Sequence, residues 1–464
     1  MSAPLLWIIV PAAWGIILWL LRRYQTLTLL LAAAMCFLLS LLALNLPIDQ
    51  TIKLGGISFQ LSSTLPVLGR RFALTANDRM ILVLIYGTGT VWFGLSVYAW
   101  PNRNFASFGL AMLVTLVAAL AVEPFLYAAL LVETAVLLSI PFLSLPGRTV
   151  GPGMQRYLIF QTLAVPVILL GGWELGLAEA NPTAIEIYIR AGLLLGLGFA
   201  FWLAIFPFYN WLPMMMTETH PFAAGFILSL LPVAVLLVVL DFINATAFFR
   251  TSPALYDAAR IVGIIMVFTA GIFAAFQVNL ARLFGYAVIF ETGFALLSIS
   301  LHSLSGFMLF ASALLPRSLA LLVFALSLSS LQNREIPLTL DGVKGLAYRF
   351  PFVSLGLLSS LFSIVGFPLF AGLPVKLEIF EQMVPISQTA IIGSGIGVAG
   401  FIFATVRVLL ELVQGVEQGW QSNESWAERI LLGGGVLFLL LFGLFPAYFS
   451  QSILFILRAF PELF

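Results

Sequence analysis

Apolar runs of about 20 residues recur along the chain, each closed by a short polar or proline-containing stretch. They lie near 3–21, 26–46, 79–99, 104–122, 124–145, 157–178, 187–206, 219–241, 258–278, 283–302, 306–331, 352–372, 386–411 and 429–449. A helix needs about 20 apolar residues to cross the hydrocarbon core, so the pattern predicts an all-α integral membrane protein with about 14 transmembrane helices. The first run lacks a basic leader and a small-residue cleavage site and reads as a retained helix. The longest early connection, 47–78, alternates apolar and polar residues around Gly55 and Gly56, which predicts a small hairpin or interfacial segment.

An even number of helices puts both termini on one side. Arg22, Arg23, Arg103, Arg148, Arg156, Arg282, Arg334, Lys344, Arg349 and Arg429 fall on the other side, against Lys53, Arg70, Arg71, Arg190 and Arg250 among several acids on the first. The positive-inside rule then turns both termini outward.

One internal repeat is visible. Phe206-Pro207-Phe208-Tyr209-Asn210-Trp211-Leu212-Pro213 recurs 161 residues later as Phe367-Pro368-Leu369-Phe370-Ala371-Gly372-Leu373-Pro374. Two prolines six apart in an apolar segment each remove a helix hydrogen bond, so Pro207, Pro213, Pro368 and Pro374 predict two broken helices. The copies stand in the seventh and twelfth segments, which run in opposite directions, as in inverted-topology repeats. The alternative is a pair of ordinary proline kinks. The expected organisation is 1–103 as three leading helices with the 47–78 loop, 104–245 and 246–415 as two inverted five-helix repeats, and 416–464 as a last helix and tail.

Composition narrows the function. The chain is 61% hydrophobic and 9% charged, which leaves no sizeable domain outside the bilayer. Its net charge of +1 comes without a basic tract, and this excludes nucleic-acid binding. The single cysteine, Cys36, excludes disulfides, thiolate zinc sites and iron–sulfur clusters, and two histidines, His220 and His302, make a multi-haem subunit untenable. No cofactor and no redox chemistry are expected in this chain.

An ionisable side chain at membrane depth costs about 2.5–3.5 kcal/mol and needs a partner or a task. The candidates are Glu133, Glu291, Arg317, and Lys376 with Glu378 and Glu381; of three lysines, Lys376 is the one inside an apolar segment. A lysine can toggle its proton as neighbouring charge changes, whereas Arg317 stays cationic and acts as a fixed charge. A buried pair that only orients helices, or a lysine that snorkels to the interface, are the plainer alternatives. Lys376 and Glu378 point to different faces. Glu218 and His220, after the first broken helix, are expected to be solvated at a loop end, with the lining of a water path as the alternative. Gly395, Gly397 and Gly400 match a nucleotide-binding glycine pattern, but no strand precedes them, so they predict close helix packing instead.

These residues resemble the antiporter-like membrane subunits shared by respiratory complex I (proton-translocating NADH-quinone oxidoreductase), its photosynthetic and hydrogenase relatives, and Mrp-type cation/proton antiporters. Leu130 to Ala135 around Glu133, with Ser139 and Pro141, resembles the family's glutamate helix. Phe206 to Pro213 resembles its P-F-H-x-W-x-P segment, Gln277 to Tyr286 its Q-x-D-x-K-R-L-L-A-Y segment, and Leu340 to Ala347 the loop before its twelfth helix. Gly366, Pro368, Gly372 and Lys376 fall on G-x-P-x-x-x-G-x-x-x-K without a gap. The resemblance implies a proton pathway through Glu133, Glu291, Arg317 and Lys376, with departures. The family's seventh-helix lysine falls on Trp202, its eighth-helix lysine on Val233 after Pro232, a basic position on Ala281, a histidine position on Glu291, and the eleventh-helix lysine on Arg317.

The resemblance therefore implies a membrane-arm subunit of a multisubunit proton- or cation-translocating complex, complex I-like, whose own proton route is degenerate. The alternatives are a subunit of an Mrp-type antiporter or a proton-driven inorganic-carbon uptake complex, or a purely structural membrane subunit. Expected partners are other membrane subunits, the lipid bilayer, and a redox or other soluble module held by partner chains. The expected location is a bacterial plasma membrane or an energy-transducing internal membrane such as the thylakoid.

Overall fold

In the computed structural model the chain is described over residues 2–54, 57–67, 69–145, 147, 149–180, 184–415 and 422–463. Gly55, Gly56 and Arg148, used in the sequence reading, lie outside the described residues.

The helices, in chain order, are α1 (Val10–Leu20, led in by a π-turn at Leu5–Ile9), α2 (Gln25–Asn45), α3 (Arg79–Ala99), α4 (Phe105–Ala121), α5 (Ala128–Leu143), α6 (Pro152–Ala180), α7 (Ile185–Trp202), α8 (Trp211–Glu218) and α9 (Pro221–Ala245). There follow α10 (Ala247–Arg250), α11 (Pro253–Ala275), α12 (Leu280–Ile299), α13 (Leu304–Gln332), α14 (Leu346–Arg349), α15 (Pro351–Val365), α16 (Gly372–Met383), α17 (Gln388–Val413), α18 (Trp426–Leu444) and α19 (Pro446–Ile453). Their starts follow local chemistry. Proline opens α9, α11 and α15, where a missing N–H costs nothing. Asn279, Ser303, Ser387 and Ser425 cap α12, α13, α17 and α18 with their side-chain oxygens.

Among the described residues eleven helices are long and apolar enough to cross a membrane, and twelve when Asp341–Arg349 and Pro351–Val365, bent by 117°, count as one span. Leu5–Leu20 and Phe105–Ala121 are apolar but shorter. The expected figure of about 14 is reached only by adding those two.

The 47–78 connection folds as two hairpins. β1 (Thr51–Leu54) pairs antiparallel with β2 (Ile57–Gln60), and β3 (Thr64–Val67) with β4 (Arg70–Ala73), which a short β5 (Val122–Glu123) extends.

Helices apolar on every face belong in the middle of a bundle. So it is here: the apolar windows of α9 and α12 are 89% and 94% buried, whereas those of α7 and α18 reach 28% and 17%. Around this centre α2 packs on α3, α6 on α7, and α11 on both α12 and α17. The α11–α17 contact is backbone on backbone. A Cβ on Gly271 would overlap the Gly397 carbonyl oxygen, one on Gly397 would overlap that of Val267, and one on Gly400 would sit 2.6 Å from that of Gly271. Two of the three glycines in the nucleotide-like pattern are thus packing residues, as expected of small residues at a close crossing.

Both proline pairs do mark interrupted helices, α7 to α8 and α15 to α16, but not by the route the spacing suggested. Pro207 and Pro368 lie in the non-helical breaks, while Pro213 and Pro374 are third residues of α8 and α16. First-turn N–H groups have no intrahelical partner, so these second prolines delete no hydrogen bond. Each break is tied back to the preceding helix, with Ile205 N–H donating to Ala200 O at 3.0 Å and Phe367 N–H to Phe362 O at 2.9 Å.

Candidate functional site

Three of the four residues of the implied proton pathway meet in the second half. Lys376, one turn into α16, reaches Glu291 in the middle of α12: Nζ donates to Oε1 at 2.6 Å, with both side chains 8% exposed. The ammonium is walled by Phe290 and Phe294, their ring centroids 5.9 and 5.3 Å away. Arg317 of α13 is buried beside them. Its Nη2 makes a long contact of 3.4 Å to Thr292 Oγ1, and its Nε has no hydrogen-bond partner among the described residues. Glu291, Arg317, Lys376 and Ser363 line one cavity of about 20 Å³, room for a single water.

The glycines of the matched pattern make space for the lysine. A Cβ on Gly372 would stand 3.1 Å from Lys376 Nζ and overlap the Ser363 carbonyl oxygen; one on Gly366 would stand 3.1 Å from Lys376 Cδ. Gly366 also has φ +81°, in the left-handed region that glycine adopts without strain. The broken helix, the glycines and the lysine are therefore one device that delivers an ammonium to a carboxylate on α12.

Electrostatically the site holds two cations against one carboxylate. The Lys376–Glu291 contact is a short charge-assisted hydrogen bond between an ammonium and a carboxylate. Arg317 supplies a fixed positive charge. Lys376 is not a snorkelling residue, since its head group points inward. Glu378 does face away, exposed and accepting from Gln382 Nε2 at 2.8 Å.

Glu133 is not brought to this cluster. It lies half-buried on α5, and its carboxylate has no hydrogen bond or ion pair among the described residues. Where the resemblance places basic partners, the first half is neutral. Trp202 is buried and exchanges hydrogen bonds with Gln161, Nε1 to the Gln161 carbonyl at 3.3 Å and Gln161 Nε2 to the Trp202 carbonyl at 3.4 Å. Val233 borders a separate cavity of about 20 Å³ with Thr88, Ser229, Leu314 and Ser318, with no ionisable side chain in its lining. Helix α13 divides the two cavities, presenting Arg317 to one and Leu314 and Ser318 to the other.

Sequence reasoning missed Gln161, whose pairing with Trp202 no spacing reveals, and Thr292, which neighbours Glu291 in the chain. It also misplaced two residues. Glu218 is not merely solvated: its carboxylate accepts from Gly153 N–H at 2.8 Å and Met154 N–H at 2.9 Å, at the start of α6. His220 is buried at the head of α9. A carboxylate on the free N–H groups of a helix also meets the positive end of its dipole. Glu218→Ala is therefore expected to lower stability by about 1–2 kcal/mol. Detergent-titrated unfolding of the purified protein reads this, and an unchanged midpoint would refute the cap.

The family model described as NADH:quinone oxidoreductase/Mrp antiporter, TM, matches residues 173–402. NADH-quinone oxidoreductase subunit N of Methylococcus capsulatus is 29% identical over 290 residues, 58% of this chain and 55% of the relative. The subunit of the same name from Chromohalobacter salexigens is 28% identical over 290 residues, 59% of each. The chain thus spans between half and two thirds of the length of these curated relatives.

Similar folds occur in the archaeal membrane-bound sulfane sulfur reductase (TM-score 0.83, 15% identity, 100% of this chain and 98% of that one). They occur also in the Mrp complex from Dietzia sp. DQ12-45-1b (0.81, 16%, 99% and 97%) and in respiratory complex I from Thermus thermophilus (0.74, 20%, 99% and 99%). With its apolar spans and its glycine–proline–lysine break, this multi-span integral membrane chain is similar over residues 173–402 to the NADH:quinone oxidoreductase/Mrp antiporter membrane family, and its fold is that of the antiporter-like subunits.

Proposed function

We propose that the chain is a membrane-arm, antiporter-like subunit of a multisubunit proton-translocating complex of the NADH-quinone oxidoreductase kind, with the transmembrane proton route through its first half interrupted. The observation that carries the interruption is the reciprocal Trp202–Gln161 pair, each side chain donating to the other's backbone carbonyl. A relay needs consecutive groups that each accept and release a proton, and an indole hydrogen-bonded to an amide does neither. Val233 adds a second gap. In the second half the Glu291–Lys376 contact remains able to move a proton, biased by the fixed charge of Arg317. These three residues then serve a lateral polar axis. Driving chemistry belongs to partner chains, and no cofactor is proposed for this one. Bacterial relatives favour a plasma membrane, and nothing among them favours a thylakoid.

Gentle extraction of the tagged chain, native-gel separation and mass spectrometry test the assembly, and proton uptake by the reconstituted complex tests the route. Hydrophilic and membrane partners of complex I or hydrogenase type are expected. Glu133→Gln and Lys376→Ala are expected to leave proton flux in place wherever assembly is intact. Abolished pumping in an intact Glu133→Gln or Lys376→Ala complex would overturn the interruption. A chain found alone would remove the redox-driven reading and leave an Mrp-type or inorganic-carbon uptake role.

A further inference from the structure

The outer face of α1, α4 and α5 carries an apolar groove of about 200 Å³, ten times the buried cavities, lined by Ala12, Gly15, Ile16 and Trp19 of α1, Ala111 of α4 and Leu138 of α5. It exists because α1 and α4 meet through residues without bulk: a Cβ on Gly15 would already touch Ser107 O at 3.5 Å and Ala111 Cβ at 3.8 Å. At one end the groove runs into a basic corner. Arg22 lies over the ring of the groove-lining Trp19, with Cζ 4.8 Å from its centroid. Gln25 Nε2 donates to Pro101 O at 2.7 Å, which holds the α1–α2 turn against the turn carrying Arg103. Asn102 Nδ2 in turn donates to Pro141 O at 3.2 Å and Ser144 O at 3.0 Å, which fixes that turn on the end of α5.

Arg22, Arg23 and Arg103 are exposed, and none forms an ion pair among the described residues. Few acids stand on the helices around them: Glu133 lies in the first half of α5, and Glu218 is engaged by the Gly153 and Met154 N–H groups. No Asp or Glu occurs in 1–48, 79–122 or 134–173, the stretches that contain α1, α2, α3, α4, most of α5 and the start of α6. An apolar slot open at the outside of the bundle, ending at three guanidinium groups without ion pairs among the described residues, matches a molecule with a long apolar tail and an anionic head. A partner's transmembrane helix would fill the slot but leave the arginines without a counter-charge.

We infer that this groove is a binding site for an anionic phospholipid, with one acyl chain between α1, α4 and α5 and the phosphate on Arg22, supported by Arg23 and Arg103. Guanidinium is suited to phosphate because it offers several donors in a fixed plane, and each arginine near an anionic lipid surface contributes about fivefold in affinity.

The test uses the full chain, extracted with whatever assembles on it, in nanodiscs of dioleoylphosphatidylglycerol or dioleoylphosphatidylcholine, followed by native mass spectrometry of retained lipid. Phosphatidylglycerol is expected to be retained and phosphatidylcholine not. Arg22→Gln should reduce occupancy about fivefold, and Ala12→Phe, which fills the slot, should abolish it. Phosphatidylglycerol carrying a diazirine in its acyl chain should label peptides of α1, α4 or α5. Should Ala12→Phe fail to fold, the exposed Arg22→Gln and the labelling pattern still decide. Equal retention of the two lipids, unaltered binding in Arg22→Gln, labelling confined to other helices, or cross-links from the groove to a protein helix would each overturn the assignment.

Discussion

Glu291→Gln is expected to be the most damaging single change in the second half, costing about 3–5 kcal/mol of stability. The reason is the charge count in the cavity it shares with Arg317 and Lys376. Glutamine keeps the shape and one acceptor but leaves two buried cations with no counter-charge. Lys376→Met should cost less, because Glu291 then still faces Arg317 across the same cavity. Replacing both members, Glu291→Gln with Lys376→Met, should recover part of the loss of Glu291→Gln alone, since one of the two stranded cations is gone. Unfolding of the purified protein in mixed micelles measures all three. If Lys376→Met proved worse than Glu291→Gln, or the double variant worse than either, the site would not be governed by the carboxylate's neutralising role.

The second large effect is expected at the α11–α17 crossing, and it separates three glycines that look alike in sequence. Gly397→Val places side-chain atoms where the Val267 carbonyl oxygen sits, and Gly400 is close to Gly271 in the same way. Overpacking of this kind costs about 1–3 kcal/mol and more where backbone cannot yield; here the obstacle is backbone on a rigid helix. Gly395 has open space where a Cβ would go. Gly395→Ala should be neutral or stabilising by up to about 1 kcal/mol through helix propensity. The midpoint of detergent-induced unfolding for the three alanine variants should therefore rank Gly395 far above Gly397 and Gly400. Equal losses at all three would show that the crossing is not set by these backbones.

What could be read in advance follows from how far apart the causes lie in the chain. Long apolar runs announce their own helices, because the bilayer asks for length and apolarity and both are local. Rare charges at membrane depth announce themselves too, which is why Glu291, Arg317 and Lys376 were legible singly. Their meeting was not. Glu291 and Lys376 are 85 residues apart, and only the packing of α12, α13 and α16 closes that distance. The proline pairs were recognised as breaks, yet the place of Pro213 and Pro374 inside a first turn depends on where each helix resumes. Glu218 was misread because its partners, Gly153 and Met154, are also distant in sequence.

The reciprocal bonding of Trp202 and Gln161 bears on what a single substitution could add at this position. Trp202→Lys alone would not build a relay here. It would exchange a large ring for a thin cation beside the Gln161 carbonyl, leaving a void where the indole packed against Phe199 and a charge facing an oxygen that accepts hydrogen bonds without neutralising it. A titratable group at this position therefore needs a second change that fills the void and supplies a counter-charge, so the seal belongs to the pair and not to one residue.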